Sequence, residues 1–179
     1  RVLVVEDSLV FRNLLVQGLN QDRALEVVAT ASDPFEARDK IIEYRPDVMT
    51  LDIELPRMSG LEFLRKLMPQ YPLPVVIISA LSEKVFDAMK AGAVDFVAKP
   101  QVTEREQLRN FLCSELPVKI KVASTARVSR YKKPVAFAAD QHLSVRSDID
   151  IIAIGASTGG TEAIAEVIRD FSTDIPGTV

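Results

Sequence analysis

Apolar positions in the first 116 residues follow two alternating spacings. Short, almost continuously apolar runs rich in β-branched residues predict strands that are buried on both faces. These runs are residues 2–5, 26–29, 48–51, 75–78 and 94–97. Between them, apolar side chains recur three and four residues apart, as at Phe11, Leu14, Leu15, Gly18 and Leu19 and again at Leu108, Phe111, Leu112 and Leu116. The five repeats predict an α/β fold, a doubly wound, five-stranded parallel sheet with helices on both faces.

Capping residues mark three helix starts. Asp33 stands directly before Pro34, which predicts an N-cap followed by a proline in the first turn. Ser59 and Thr103 are each followed three residues later by a glutamate, which predicts two capping boxes. Each cap stabilises its helix by about 1 kcal/mol.

Charge changes sharply along the chain and predicts three segments. Residues 1–116 carry a net charge of −4, residues 117–147 of +6 and residues 148–179 of −5. We therefore predict a first domain at 1–116, a basic linker at 117–147 and the start of a second α/β domain at 148–179. The acidic first segment argues against DNA as a partner. The group Tyr131, Lys132 and Lys133 is only weakly typical of nucleic-acid binding. We expect His142 to be an exposed residue of the linker.

Long apolar runs and cysteines bear on whether the chain enters a membrane and on its redox environment. No apolar run approaches the ~20 residues of a membrane span, so we expect no membrane insertion. The single cysteine, Cys113, forms no intrachain disulfide, which fits a cytoplasmic location. We expect its side chain to be a small core residue on the last helix of the first domain.

Polar residues follow four of the predicted strands. Because the carboxyl ends of parallel strands meet at one edge of the sheet, we expect these side chains to converge there. They are Glu6, Asp7, Ser8, Asp52, Ser79 and Lys99. Grouped carboxylates repel one another and suit Mg²⁺, which prefers oxygen ligands. The sequence therefore predicts a magnesium site at this edge.

Four sequence stretches resemble the receiver domain of two-component response regulators, which has a flavodoxin-like fold. They are VVEDS at 4–8, LDIELPRMSG at 51–60, ISA at 78–80 and AKP at 98–100. The resemblance implies that Asp52 is the phosphoacceptor. It also implies that the carboxylates of Glu6, Asp7 and Asp52 hold Mg²⁺ together with the backbone carbonyl of Glu54.

The same resemblance implies roles for the residues that respond to the phosphoryl group. Lys99 would contact a phosphoryl oxygen, and its peptide bond to Pro100 would be cis. Ser79 would hydrogen-bond the phosphoryl group, and Phe96 would follow as a buried switch residue. The sequence departs from the commonest pattern at Glu6, where aspartate is frequent, and at Phe96, where tyrosine is frequent.

A strand pattern at 149–154, the sequence GASTGG at 155–160 and a helical run at 161–171 begin the second domain. The glycines fit neither a dinucleotide fingerprint nor a P-loop. They fit G-x-S-x-G, in which Ser157 would be a nucleophile on a sharp turn before a helix. A glycine-rich turn without chemistry is the alternative.

The order of receiver, basic linker and IGASTGGT at 154–161 resembles the chemotaxis protein-glutamate methylesterase family. The resemblance implies that Ser157 is the nucleophile of a Ser-His-Asp triad. That triad hydrolyses methyl esters, and deamidates glutamines, on the cytoplasmic helices of chemoreceptors. The phosphodonor would be the chemotaxis histidine kinase.

The histidine and aspartate of that triad lie further along in the family, and His142 does not stand at the family's position. We therefore expect the 179-residue chain to be a fragment that is inactive as an esterase. A receiver without enzymatic activity, whose output is protein binding, is the alternative.

Overall fold

The computed structural model describes residues 1–100 and 103–128, together with 154, 164, 168 and 169. The chain divides into two units, residues 1–132 and 133–179. The elements below belong to the first unit. Ser157, His142 and the linker residues from 129 onward lie outside the described residues, so their predicted roles stay predictions. Within the described part, no helix is long and apolar enough to cross a membrane.

The predicted parallel sheet is confirmed. Its strands lie in the order β2-β1-β3-β4-β5, all parallel. They are β1 (Val2–Val5), β2 (Val27–Ala31), β3 (Val48–Leu51), β4 (Val75–Ser79) and β5 (Asp95–Ala98). The bounds of β1 and β3 match the prediction, because both strands are buried along their whole length. Strand β2 begins one residue later and ends two residues later than predicted, because an edge strand that is only half-buried tolerates Thr30.

Helices cover both faces of the sheet, as predicted. One face carries α1 (Leu9–Leu19) and the last helical segments. The other carries α2 (Pro34–Tyr44), α3 (Gly60–Leu67) and α4 (Val85–Ala91). Because alternate strand residues point to opposite faces, the sheet contributes to two separate apolar cores. Strand order 2-1-3-4-5 places the point of reversal between β1 and β3, where ligands bind in doubly wound folds.

The last helix continues beyond the predicted domain end at 116. It consists of α5 (Arg105–Asn110), a π-helical segment (Phe111–Glu115) and α6 (Leu116–Ser124). Residues 117–124 are therefore helical, where the sequence predicted linker. The wider π-helical turn brings Leu116 rather than Glu115 to the sheet, and Ile120 and Ala123 follow it into the core.

Two further expectations in this region are wrong. The side chain of Thr103 caps no helix, because α5 begins at Arg105 with Glu104 as its N-cap and no side-chain hydrogen bond. Cys113 is exposed rather than buried, with its Sγ 3.6 Å from Oε1 of Gln21. The π-helical turn shifts the phase of the helix, so the side chain of Cys113 points away from the sheet.

The cap at Asp33 is confirmed and supports a prediction about stability. Its Oδ1 accepts hydrogen bonds from the backbone N–H groups of Phe35 (2.8 Å) and Glu36 (3.0 Å). The hydrogen bond from Glu36 has the largest effect and lowers the pKa of the Asp33 carboxyl. The bond from Phe35 lowers it further, while partial burial opposes both. Asp33→Ala is expected to lower the free energy of unfolding at pH 7 by about 1 kcal/mol.

This loss depends on pH. Because the folded-state pKa is lowered, the contribution of Asp33 is complete above the ordinary value of 3.8 and disappears as pH falls through the lower folded value. Urea denaturation at neutral and acidic pH measures it. Asp33→Asn is the matched control, since an amide oxygen still caps the helix. Equal stability of Asp33→Ala and the unmodified protein at pH 7 would contradict the prediction.

Candidate metal centre at the carboxyl edge of the sheet

Three carboxylates meet where β1 and β3 end. Glu6 and Asp7 follow β1, and Asp52 follows β3, so the parallel pairing of these strands brings the acids together. One oxygen from each acid lies within 4.8 Å of the other two. Glu6 and Asp52 are 1% and 3% exposed, whereas Asp7 is open to solvent. Such a group of charges requires a cation.

Lys99 brings a positive charge into this cluster from the end of β5. Its Nζ lies 2.8 and 2.9 Å from the two carboxylate oxygens of Glu6 and 2.8 Å from Oδ2 of Asp52. The backbone N–H of Lys99 donates to the carbonyl of Ser79, which fixes the end of β5 beside β4. The peptide bond to Pro100 is trans, so the expectation of a cis bond is wrong. The ammonium nevertheless reaches both buried acids.

The pKa values reflect burial and pairing together. Burial raises the pKa of the Glu6 carboxyl, and the charge of Asp52 raises it further, while hydrogen bonds from Lys99 and Ser8 oppose the increase. Burial by itself lowers the pKa of the Lys99 ammonium. Hydrogen bonds to Asp52 and Glu6, and the charges of those acids, outweigh burial and raise it overall. Lys99 therefore stays protonated and partly neutralises the two buried acids.

A tight loop from Asp52 to Gly60 orients the central carboxylate. Oδ1 of Asp52 accepts a hydrogen bond from the backbone N–H of Glu54 (3.1 Å), and the N–H of Gly60 donates to the carbonyl of Ile53 (2.9 Å). A Cβ at Gly60 would lie 2.0 Å from the carbonyl oxygen of Asp52. Glycine is therefore required at position 60 for this close approach. The predicted cap at Ser59 is confirmed, since its Oγ accepts from the N–H of Glu62.

The predicted switch residues lie on β4 and β5. Ser79 is fully buried, and its Oγ accepts a hydrogen bond from the N–H of Leu81 (3.2 Å). Phe96 is 8% exposed and packs in the core beneath α2, α3 and α4. Ser79 is the last residue of β4 rather than the residue after it, and the roles of both residues as switches remain predictions.

Contacts that the sequence did not reveal also hold the site. Nη1 of Arg12, on α1, donates to the backbone carbonyls of Glu6 (2.6 Å) and Asp7 (3.3 Å), and so ties the acidic loop to that helix. Arg57 has a left-handed backbone (φ 69°), and its guanidinium lies 3.3 Å from Oδ2 of Asp33. Neither arginine carries a local sequence signal, because each contact depends on how separate loops pack.

The donor set fits Mg²⁺. All side-chain donors are oxygens, and three of them lie close enough to share one ion. The Lys99 ammonium forms ion pairs with two of these carboxylates, Glu6 and Asp52, so a positive charge stabilises the group of acids. Glu6, Asp7 and Asp52 are therefore the residues that would hold the ion.

The hydroxyl of Thr50 is another feature that the sequence did not reveal. Thr50 lies on β3 between Val4 and Val76, is 1% exposed, and its Oγ1 has no hydrogen-bond partner among the described residues. Thr50→Val removes this unpaired group without changing the shape of the side chain. The free energy of unfolding should rise by about 1 kcal/mol in urea denaturation.

Thr30→Val on half-buried β2 is the matched control. Its hydroxyl is accessible to water, so we expect little change there. A lower stability of Thr50→Val would show that its hydroxyl has a partner.

Comparison with known proteins shows which family the chain belongs to. The family model described as the response regulator receiver domain matches residues 2–112. The chain belongs to the response regulator receiver family. Asp52 in this receiver stands directly after the central strand β3, and its Oδ2 lies 2.8 Å from Nζ of Lys99.

The receiver and the residues after it also match longer proteins. A protein-glutamate methylesterase/protein-glutamine glutaminase 2 of Syntrophomonas wolfei is 58% identical over 179 residues, which are 100% of this chain and 52% of that protein. A protein-glutamate methylesterase/protein-glutamine glutaminase of Salmonella choleraesuis is 43% identical over 100% of this chain and 52% of its own length. The chain spans about half the length of these curated relatives.

Solved structures agree with the fold. The response regulator domain of Thermotoga maritima CheB is 37% identical, with a TM-score of 0.65, over 71% of this chain and 97% of that one. The CheX-CheY-BeF3-Mg²⁺ complex from Borrelia burgdorferi matches with a TM-score of 0.52 and 33% identity over 60% of this chain and 84% of that one. These similarities extend over the sheet and helices of the receiver.

Proposed function

We propose that Asp52 is phosphorylated in a Mg²⁺-dependent reaction. The observation that carries the proposal is a buried carboxylate at the switch point of the sheet, with two further acids and one ammonium around it. An oxygen of Asp52 attacks the phosphorus of a phosphodonor, the bond to the leaving group breaks, and an acyl phosphate forms. Bound Mg²⁺ supplies neutralisation of the negative charge shared by the carboxylate and the phosphoryl oxygens.

The remaining site residues have assigned roles in this proposal. Glu6 and Asp7, with the backbone carbonyl of Glu54, complete the oxygen ligands beside Asp52. Lys99 attracts a phosphoryl oxygen as a compact positive charge. Ser79 leaves its hydrogen bond with Leu81 for the phosphoryl group, and the buried Phe96 ring follows. The Mg²⁺ named for the Borrelia burgdorferi complex supports the choice of metal.

Intact mass tests the proposal. After incubation with acetyl phosphate, we expect one added phosphoryl group only when Mg²⁺ is present. Asp52→Asn should add none, because an amide is a poor nucleophile. Asp47→Asn is a matched control on an exposed acid directly before β3, at the opposite end of the strand from Asp52. Equal uptake without Mg²⁺, or in Asp52→Asn, would contradict the proposal.

We further propose that this receiver regulates a protein-glutamate methylesterase and protein-glutamine glutaminase. The similarity to such enzymes over the whole chain, and the G-x-S-x-G sequence at Ser157, support this output. The phosphodonor would be the chemotaxis histidine kinase, and the substrate would be methylated chemoreceptor helices. The protein would act in the cytoplasm, where those helices lie.

Methanol release from methylated chemoreceptors tests this output in the full gene product. We expect release that increases with acetyl phosphate and is lost in Ser157→Ala. A full gene product that binds receptors but releases no methanol would favour a receiver with a binding output instead.

A further inference from the structure

The ammonium of Lys99 contacts an aromatic ring as well as two acids. Its Nζ lies 4.5 Å from the centre of the Phe11 ring on α1. A cation at that distance is attracted by the negative face of the ring. Among the described residues, the ammonium also donates hydrogen bonds to Glu6 and Asp52. Phe11 thus touches an active-site residue although it lies in a core position of α1.

The ring of Phe11 is fixed by the packing of two helices. It is 2% exposed, and its centre lies 6.2 Å from that of Phe111, which begins the π-helical segment. Gly18 lies two helical turns after Phe11 on α1. A Cβ added there would lie 2.8 Å from Cβ of Leu112, so α1 and the last helix approach closely. The Phe11 ring therefore cannot move away without repacking this layer.

The two kinds of contact to Lys99 respond differently to a metal ion. The carboxylates of Glu6 and Asp52 are shared, since they bind the ammonium and are also the oxygens that would hold Mg²⁺. Two cations at one group of acids repel each other. The Phe11 ring offers no oxygen to a hard cation, so its attraction for the ammonium is not subject to that competition.

We propose that Phe11 is a positioning residue that keeps the Lys99 ammonium beside Asp52 when Mg²⁺ occupies the carboxylates. The proposal rests on the proposed phosphorylation of Asp52. The ring limits the displacement of Lys99, so that the ammonium remains available for a phosphoryl oxygen. Phe11 has no role in binding the metal or the phosphodonor in this proposal.

Nuclear magnetic resonance tests the contact without measuring activity. Protons on Cε of Lys99 that lie over an aromatic ring resonate upfield of those of exposed lysines. In the ¹³C-lysine-labelled chain, with the signal assigned from Lys99→Met, we expect this upfield shift both before and after Mg²⁺ is added. Loss of the shift on addition of Mg²⁺, or its persistence in Phe11→Leu, would overturn the proposal.

Phosphorylation rates test the consequence. Pentafluorophenylalanine at position 11 keeps the shape of the ring but reverses the charge of its face, so folding should be preserved. At saturating Mg²⁺ we expect phosphorylation by acetyl phosphate to slow about three- to tenfold. The same fluorinated residue at position 63 is the matched control, since Phe63 is buried in the core on the other face of the sheet, and we expect it to leave the rate unchanged.

A comparison in the Lys99→Met background separates positioning from a general packing effect. Without the ammonium, the fluorinated ring should cause no further loss of rate. An equal loss in both backgrounds, or an unchanged rate in the fluorinated protein, would overturn the proposal. Absence of phosphoryl uptake by the unmodified protein would instead contradict the proposed function, and the resonance experiment would still decide whether Phe11 holds Lys99.

Discussion

Replacing Lys99 by methionine should destabilise the Mg²⁺-free protein by about 3 kcal/mol, because two buried acids lose their cation. Glu6 and Asp52 are 1% and 3% exposed, and each accepts a hydrogen bond from the Lys99 ammonium. Methionine has a similar length and fills the same space without charge. Urea denaturation without Mg²⁺ measures the loss.

Added Mg²⁺ should restore much of this stability and bind Lys99→Met more tightly than the unmodified protein, since no ammonium competes for the acids. Phosphorylation should nevertheless fall about 100-fold, because a positive charge that stabilises the transferred group is missing. Lys99→Arg is the control that keeps the charge; we expect it to retain most of the stability but to phosphorylate slowly. Unchanged stability and unchanged Mg²⁺ affinity in Lys99→Met would contradict the arrangement of the site.

Gly60→Ala should lower the free energy of unfolding by about 3 kcal/mol and displace the phosphoacceptor. The new Cβ would lie 2.0 Å from the carbonyl oxygen and 2.9 Å from the carbonyl carbon of Asp52, and backbone atoms cannot move away as a flexible side chain would. The loop after β3 must therefore shift. Mg²⁺ affinity and phosphorylation should fall together with stability.

Gly92→Ala provides the matched control, since it makes the same chemical change at the C-cap of α4. Gly92 has a positive φ of 106°, so alanine there is strained, but its nearest neighbours are side-chain atoms of Met68. We expect a stability loss of about 1 kcal/mol with Mg²⁺ affinity unchanged. Equal Mg²⁺ affinity in Gly60→Ala and the unmodified protein would show that the loop tolerates the added carbon.

The sequence predicted the parts of the fold that depend on burial of whole strands. Strand β1 is apolar throughout and β3 is interrupted only by Thr50, because both faces of these strands are covered, and their predicted bounds are confirmed. The site followed from the same pattern. Glu6, Asp52 and Lys99 each stand directly after a strand, so a parallel sheet necessarily brings them to one edge.

The sequence did not predict features that depend on the phase of a helix or on contacts between loops. The π-helical segment Phe111–Glu115 places the side chain of Cys113 on the exposed side of the helix. The helix then continues past Pro117 and ends at Ser124. Phe11 contacts Lys99, and Arg12 contacts the acidic loop. Phenylalanine and arginine are common in helices, so neither residue signals its contact in the sequence. Such contacts are set by side-chain packing, which no local spacing encodes.

The most direct test of the central claim locates the phosphoryl group on the chain. Borohydride reduces an acyl phosphate of aspartate to homoserine, which is stable during digestion and changes the mass of a single peptide. After treatment with acetyl phosphate and Mg²⁺, we expect homoserine at position 52 and at no other aspartate. Homoserine at another acid, or none at all in a protein that has gained a phosphoryl group, would contradict the assignment of Asp52 as the phosphoacceptor.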